Sequence, residues 1–208
     1  MCSRATTEHD LARAVLRRIV AAEGESGPRL AHVRAVVETV RTAARAGGWP
    51  AAILDGAVRA AWLHDVVRLE DPDRLRRRIV RAGEDPDPWA LAHSPRLLHA
   101  QAAAVWAAGH GESDPEVLTA VRHHPTAHPD WGPVGLLLYV ADFCEPGRPY
   151  ADRLDTARIR MLAAEDREGL ALAARRVLEL RVADQLAKGR RLHPLTVVAL
   201  RRWFPSGP

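Results

Sequence analysis

Ala60-Ala61-Trp62-Leu63-His64-Asp65-Val66-Val67-Arg68 sets an imidazole beside a carboxylate within an apolar run that reads as the middle of a helix. A carboxylate there loses its hydration and needs a strong partner, because an isolated buried charge is very costly. A bound metal cation is one such partner. The pair alone is a weak signal. His9-Asp10 repeats it among Glu8, Arg13, Arg17 and Arg18, where water suffices as the partner. What separates the two pairs is the company that His64-Asp65 keeps elsewhere in the chain.

Working outward, the composition bounds the fold. Ala, Leu and Arg dominate and aromatics make up only 5% of the 208 residues, so strand-favouring residues are scarce and the chain leans all-α. That length suits one domain with one core. Cys2 and Cys144 offer no disulfide framework, and Met1 to Glu8 has no apolar signal core. No window reaches the length of an uncharged membrane span, so the expectation is a cytoplasmic protein with no membrane partner. The net charge of +4 raises nucleic acid as a partner. The arginines are nevertheless spread along helices, with Arg74, Arg76, Arg77 and Arg78 as the densest run, and solvated helix faces are the better account.

Punctuation then places the helices. Apolar Leu11, Val15, Leu16 and Ile19 predict a first helix from Thr6 to about Ala22. A second spans about Arg29 to Ala46 and stops at Gly47-Gly48, with His32 facing the core. Pro50 starts the helix carrying His64 and Asp65, and Asp71-Pro72 opens a short basic one ending near Ala82. Gly83 to His93 reads as a loop or a broken helical turn. Ser94-Pro95 and Asp114-Pro115 each start a helix. The first holds His99 in phase with Ala102, Ala103 and Trp106. On the second, His124 continues the stripe of Val117 and Val121, whereas His123 projects to the side. After the loop Pro125 to Gly132 comes the apolar helix Pro133 to Phe143, with Asp142 above Gly135, Leu138 and Tyr139. Helix resumes near Asp152, with a long segment from Glu165 to Lys188 and a short one from Leu195 to Trp203.

His32, His64, Asp65, His99, His124 and Asp142 therefore stand on inward faces of separate helices. A single buried histidine is more often a hydrogen-bonded core residue than a ligand, and a buried aspartate is rarer. Six such groups in one small core are expensive unless they share a cation or two. Mixed imidazole and carboxylate donors suit borderline divalent metals: Fe, Mn, Co or Zn. The expected cofactor is thus a divalent transition metal, one or two ions.

The order His, His-Asp, His, His, Asp resembles the HD-domain metal-dependent phosphohydrolases, and more narrowly the YqeK-like symmetrical bis(5′-nucleosyl)-tetraphosphatases. The local matches are Arg29-Leu30-Ala31-His32, Ala61-Trp62-Leu63-His64-Asp65, Leu97-Leu98-His99-Ala100 and Ala120-Val121-Arg122-His123-His124. The most specific is Ala141-Asp142-Phe143-Cys144-Glu145-Pro146-Gly147-Arg148. The resemblance covers about residues 11–185 of a single domain spanning 1–208. It implies an all-α HD-type bundle with extra C-terminal helices, and a suggested homodimer. It also implies that His32, His64, Asp65 and Asp142 hold one metal, with Asp65 bridging to a second held by His99 and His124. Asp65, Asp142, Arg148 and Arg68 are then the catalytic candidates. Arg148, Arg68, His128 and, more loosely, Arg160 are the candidates for binding substrate. The reaction implied is symmetrical cleavage of diadenosine tetraphosphate into two ADP by a metal-activated water.

Two departures stand out. The family favours His-Thr-Ser/Thr-Gly where this chain reads His124-Pro125-Thr126-Ala127, and lysine is usual at the position of Arg68. Another nucleotide as substrate (a nucleoside di- or triphosphate, an alarmone or a monophosphate) fits the same residues. The Gly-Tyr-Pro element of cyclic dinucleotide phosphodiesterases is absent, which disfavours that branch. A helical module that binds nucleotide or RNA without hydrolysis is the alternative of a different class. The six tryptophans read mainly as packing, with Trp89 and Trp131 as candidates to stack on a base.

Overall fold

The computed structural model describes residues 7–149 and 154–205, and among these all regular structure is helical. Eleven α-helices follow in order: α1 (Glu8–Glu23), α2 (Pro28–Ala46), α3 (Ala51–Leu63), α4 (Pro72–Arg81), α5 (Pro88–His93), α6 (Leu98–Gly109), α7 (Pro115–His123), α8 (Pro133–Cys144), α9 (Leu154–Ala163), α10 (Arg167–Ala187) and α11 (Pro194–Trp203). A short 3-10 turn, Pro95–Leu97, leads into α6. No helix is long and apolar enough to cross a membrane.

Local chemistry explains the boundaries. Asp71, Asp87 and Asp114 each precede a proline and accept a hydrogen bond from a backbone N–H of the first turn, so α4, α5 and α7 begin where an acceptor meets a residue with no N–H of its own. Gly48, rather than Gly47, takes the left-handed conformation after α2 (φ 63°). The segment Gly83 to His93 is not wholly loop, because Asp87-Pro88 nucleates α5 within it. The predicted restart near Asp152 lies outside the described residues.

The larger correction concerns His64-Asp65. The pair does not sit mid-helix: α3 ends at Leu63 and His64 is its C-cap. Beyond it the backbone tightens through Val66 N to Leu63 O (3.1 Å), Arg68 N to Asp65 O (3.0 Å) and Glu70 N to Val67 O (3.0 Å). Adjacent residues on a regular helix diverge by about 100° and cannot both face one point. The tightened turn removes that conflict.

Helix α3 packs against α1, α2, α7 and α8, and α8 also meets α9 and α10. Ala57, Ala60 and Ala61 are fully buried on α3, and a methyl at Gly56 would lie only 3.1 Å from Val134 Cγ2. Small residues thus let α2, α3, α7 and α8 converge closely enough for their polar side chains to meet.

Candidate metal centre

The six residues named from the sequence come together. His32 projects from α2, His64 and Asp65 from the end of α3, His99 from α6, His124 from the end of α7 and Asp142 from α8. His32 is the most open at 9% exposure, and the others lie between 0% and 4%.

They form two triads, each of two imidazoles and one carboxylate. In the first, His32 Nε2 lies 3.3 Å from His64 Nε2 and 3.2 Å from Asp142 Oδ1, with His64 Nε2 3.8 Å from that oxygen. In the second, His99 Nε2 lies 3.2 Å from His124 Nε2 and 3.3 Å from Asp65 Oδ1, with His124 Nε2 at 3.8 Å. Asp65 joins the two, because its other oxygen, Oδ2, is 3.7 Å from His32 Nε2 and 3.6 Å from His64 Nε2.

The tautomers follow from the opposite edges of the rings. His64 Nδ1 faces Ala61 O (2.8 Å), His99 Nδ1 faces Arg96 O (2.7 Å) and His124 Nδ1 faces Val121 O (2.9 Å), each carbonyl lying three residues earlier. A carbonyl only accepts, so each of these Nδ1 atoms carries the proton. His32 Nδ1 likewise meets Glu145 Oε1 at 3.1 Å. Burial holds His64 below its ordinary pKa and His124 well below it, so their rings are neutral and their Nε2 atoms carry lone pairs.

Lone pairs 3.2–3.3 Å apart repel unless an electrophile lies between them. Donors about 2.1 Å from a divalent ion sit about 3 Å from one another, so the spacing fits. Asp65 Oδ1, buried and without a geometrically sound hydrogen bond, fits as well.

The carboxylates by themselves make a weaker case than their burial implied from sequence. Arg29 Nη1 bonds Asp65 Oδ2, and Arg148 Nη2 bonds Asp142 Oδ1. Arg181 Nη2 donates to Asp142 Oδ2 at 2.7 Å. Burial alone would raise both aspartates. The guanidinium of Arg29 opposes that effect at Asp65, and those of Arg181 and Arg148 oppose it at Asp142. Both carboxyls end well below the usual carboxylate range. The guanidiniums answer the negative charge, and the imidazole lone pairs are what call for a cation.

Glu145, Arg29 and Arg181 were not assigned from sequence. Arg29 lies three residues before His32 on α2 and so shares its face, a spacing that could have flagged it. Arg181 follows the buried Val177 and Leu178 of α10 in the same phase. Glu145 gave only its place in the Glu-Pro-Gly-Arg turn.

The remaining candidates are placed as follows. Arg148 sends Nε to Asp142 O (3.0 Å) as well as Nη2 to the carboxylate, so it braces the centre directly. Arg68 lines a cleft of about 690 Å³ beside the centre, its Nη1 3.5 Å from Arg96 O. Arg160 instead donates to Cys144 O at 2.9 Å, closing the end of α8, and lines a separate hollow with Glu38 and Thr39. His128 lies beside the His123 ring (centroids 5.1 Å apart), and its Nδ1 accepts from Asp130 N at 3.3 Å. Trp131 packs against Tyr139 and Trp203 within the core, whereas Trp89 lines the cleft.

The loop after His124 carries a costly backbone conformation. Ala127 is the one non-glycine residue with positive φ (64°) among the described residues, and its methyl is fully buried. A glycine at this position would take that backbone without strain. Alanine holds it at about 1–2 kcal/mol, partly offset by the buried methyl.

Comparison with known structures supplies the fold. The crystal structure of a protein from Clostridium acetobutylicum, described as a predicted HD superfamily hydrolase involved in NAD metabolism, superimposes with a TM-score of 0.80 over 97% of this chain and 99% of that one, at 21% identity. This chain shares the fold of that structure. No family model matches the chain. Curated relatives named symmetrical bis(5′-nucleosyl)-tetraphosphatase align at 30% identity over 108 residues (Bacillus subtilis), 28% over 147 (Halalkalibacterium halodurans) and 32% over 90 (Staphylococcus aureus). Those alignments span 51%, 70% and 43% of this chain and 55%, 74% and 45% of the relatives' own lengths. The resemblance read from the sequence is thereby borne out, and the two triads lie within that shared fold.

Proposed function

We propose that this HD-fold chain is a metal-dependent hydrolase of nucleotide phosphoanhydrides, acting on diadenosine tetraphosphate to give two ADP. One observation carries the proposal: two triads of metal-competent donors share Asp65, each buried and each with its histidines fixed by oxygens behind them. The name of the aligned relatives supports the choice of substrate.

His32, His64 and Asp142 would hold one ion and His99, His124 and Asp65 the other, with Asp65 Oδ2 reaching the first. Two histidines and one carboxylate leave coordination positions open, a donor set that favours ferrous iron, with manganese or cobalt next. When bound, the ions supply an acidified water and neutralise charge on the phosphoryl oxygens. The protein's own part is orientation. The carbonyls of Ala61, Arg96 and Val121, with Glu145, fix the four rings, and Arg29 and Arg181 fix the two carboxylates. Arg148 has Nη1 without a partner among the described residues, and it would meet a phosphate while still bracing Asp142. Arg68 would meet a second. Burial and the nearby Arg29 and Arg96 lower the Arg68 pKa against the opposing pull of Asp65, so an arriving anion relieves repulsion there. His128 and Arg160, placed as above, would act at most on outlying parts of the substrate. A cytoplasmic location and a homodimer belong to the same reading, and sedimentation of the purified chain decides the second.

The test is ADP release from diadenosine tetraphosphate with iron, manganese or cobalt supplied, alongside nucleoside di-, tri- and monophosphates and a guanosine alarmone. The expected outcome is highest catalytic efficiency on the dinucleotide, abolished in a His64→Ala, Asp65→Ala variant. Equal ADP release by that variant would overturn the proposal.

A further inference from the structure

The cleft beside the centre is lined by five arginines (Arg68, Arg96, Arg181, Arg190 and Arg191) and, among the described residues, by no carboxylate. Arg181 reaches Asp142, and the Arg96 carbonyl fixes His99, so the cleft adjoins the triads. Arg68, Arg96, Arg190 and Arg191 form no ion pair with any described residue. Unpaired guanidiniums facing a concavity are poised for an anion with several charges.

An aromatic corner stands among these cations. Five of the six tryptophans belong to the core or pack against it, and Trp89 does not. It is half-buried in the first turn of α5, with the His193 ring (centroids 4.9 Å, interplanar angle 72°) and the His93 ring (5.0 Å, 61°) steeply inclined to it rather than stacked on it. His193 is itself held. Its Nδ1 accepts from Leu195 N at 3.1 Å, so Nε2 carries the proton and donates to Asp87 Oδ2 at 2.8 Å. Asp87 in turn caps α5 through Ala90 N. The tether joins α5 to the start of α11 and fixes the corner between them.

We propose that Trp89, held by the Asp87–His193 tether, is a stacking platform for a nucleobase, and that Arg190 and Arg191 bind the phosphates of the same nucleotide. The inference rests on the reading above only in taking a nucleotide as the ligand. Every base presents a π face, so a platform of this kind accepts adenine and guanine alike. Selection of one base over the other falls to contacts elsewhere.

The test needs no turnover. The β,γ-methylene analogue of ATP and inorganic tripolyphosphate are titrated calorimetrically into the full chain and into three variants: Trp89→Ala, Trp89→Phe, and Arg190→Ser with Arg191→Ser. Trp89→Ala is expected to weaken the nucleotide about tenfold and to leave tripolyphosphate unchanged, in keeping with the usual loss on removing a stacked aromatic. Trp89→Phe should restore most of the difference, and the double arginine variant should weaken both ligands. Unchanged nucleotide affinity in Trp89→Ala, or equal weakening of both ligands, would overturn the proposal. Because neither ligand reports hydrolysis, a failure here is distinct from a failure to split diadenosine tetraphosphate.

Discussion

The chain uses the dipeptide His-Asp twice, and the two copies end in opposite settings. His9-Asp10 sits in the exposed first turn of α1, where Asp10 Oδ2 accepts from Thr7 Oγ1 at 2.8 Å and Thr7 N at 3.4 Å, while Thr7 Oγ1 accepts from Asp10 N at 3.3 Å. His64-Asp65 sits at the buried end of α3 and supplies one ligand atom to each triad. The helix end makes the difference. An N-terminus exposes N–H groups that a carboxylate can accept from, so Asp10 is used up as the reciprocal partner of the Thr7 cap. A C-terminus exposes carbonyls that an imidazole N–H can satisfy, and the opposite ring nitrogen is left aimed outward. His64 does this through Ala61 O, and His124 repeats it at the end of α7 through Val121 O.

The comparison breaks most sharply at the two aspartates. Asp65→Asn should lower both hydrolysis and bound metal, read by elemental analysis, at least about 100-fold, since even a residue behind the ligands is worth about 10–100-fold. It should also remove the rise in melting temperature on adding metal, because an ion that binds only the folded chain stabilises it by mass action. Asp10→Asn should leave metal content and rate unchanged. Equal metal content in the two variants would mean that the buried pair is only a core pair.

A smaller effect isolates the support behind the ligands. Glu145 Oε1 holds His32 Nδ1, whereas the His9 ring has no hydrogen bond to any described residue. Glu145→Ala should cost about 10–100-fold in metal affinity or activity. Glu145→Gln, which retains a carbonyl acceptor, should recover most of it. Identical losses in the two variants would show that the negative charge, not the orientation of His32, is what Glu145 contributes.

Much of this was legible in the chain. Asp71-Pro72, Asp114-Pro115 and Gly47-Gly48 located their helix ends to within a residue or two while Asp87-Pro88 went unread, and phase separated His124 from His123. What stayed hidden was whatever depends on a partner distant in sequence. Arg181 lies 39 residues from Asp142 and Glu145 lies 113 from His32, and no periodicity links such positions. The burial of Asp65 and Asp142 was legible, but the arginines that answer them were not, so a metal was inferred from charge when the lone pairs make the stronger case. The ending of α3 at Leu63 was also hidden. Nothing in Ala-Ala-Trp-Leu-His-Asp-Val-Val forbids helix, and the break comes from His64 reaching back to the Ala61 carbonyl while packing holds it at the centre. Ala127 shows the reverse case, a position where the sequence disfavours the backbone that tertiary packing imposes.

The smallest expected effect sharpens the exposed side of the comparison. Hydrogen bonds from the Thr7 hydroxyl and backbone hold the Asp10 carboxyl below its ordinary 3.8, against a small opposing effect of burial. A carboxyl whose pKa is depressed on folding contributes stability that is complete above the unfolded value and is lost as pH falls through the folded one. Asp10→Ala should therefore melt slightly below the parent chain at pH 7, and the gap should close on acidification below about pH 4. The Asp65 carboxyl is depressed too and shares that pH dependence, but on the proposed reading Asp65→Ala also removes a metal ligand, so its effect at pH 7 should in addition follow the metal added. Melting curves of both variants at pH 7 and pH 3, with and without chelator, separate the two roles. A gap for Asp10→Ala that depends on chelator but not on pH would show that the exposed pair, too, has a metal for a partner.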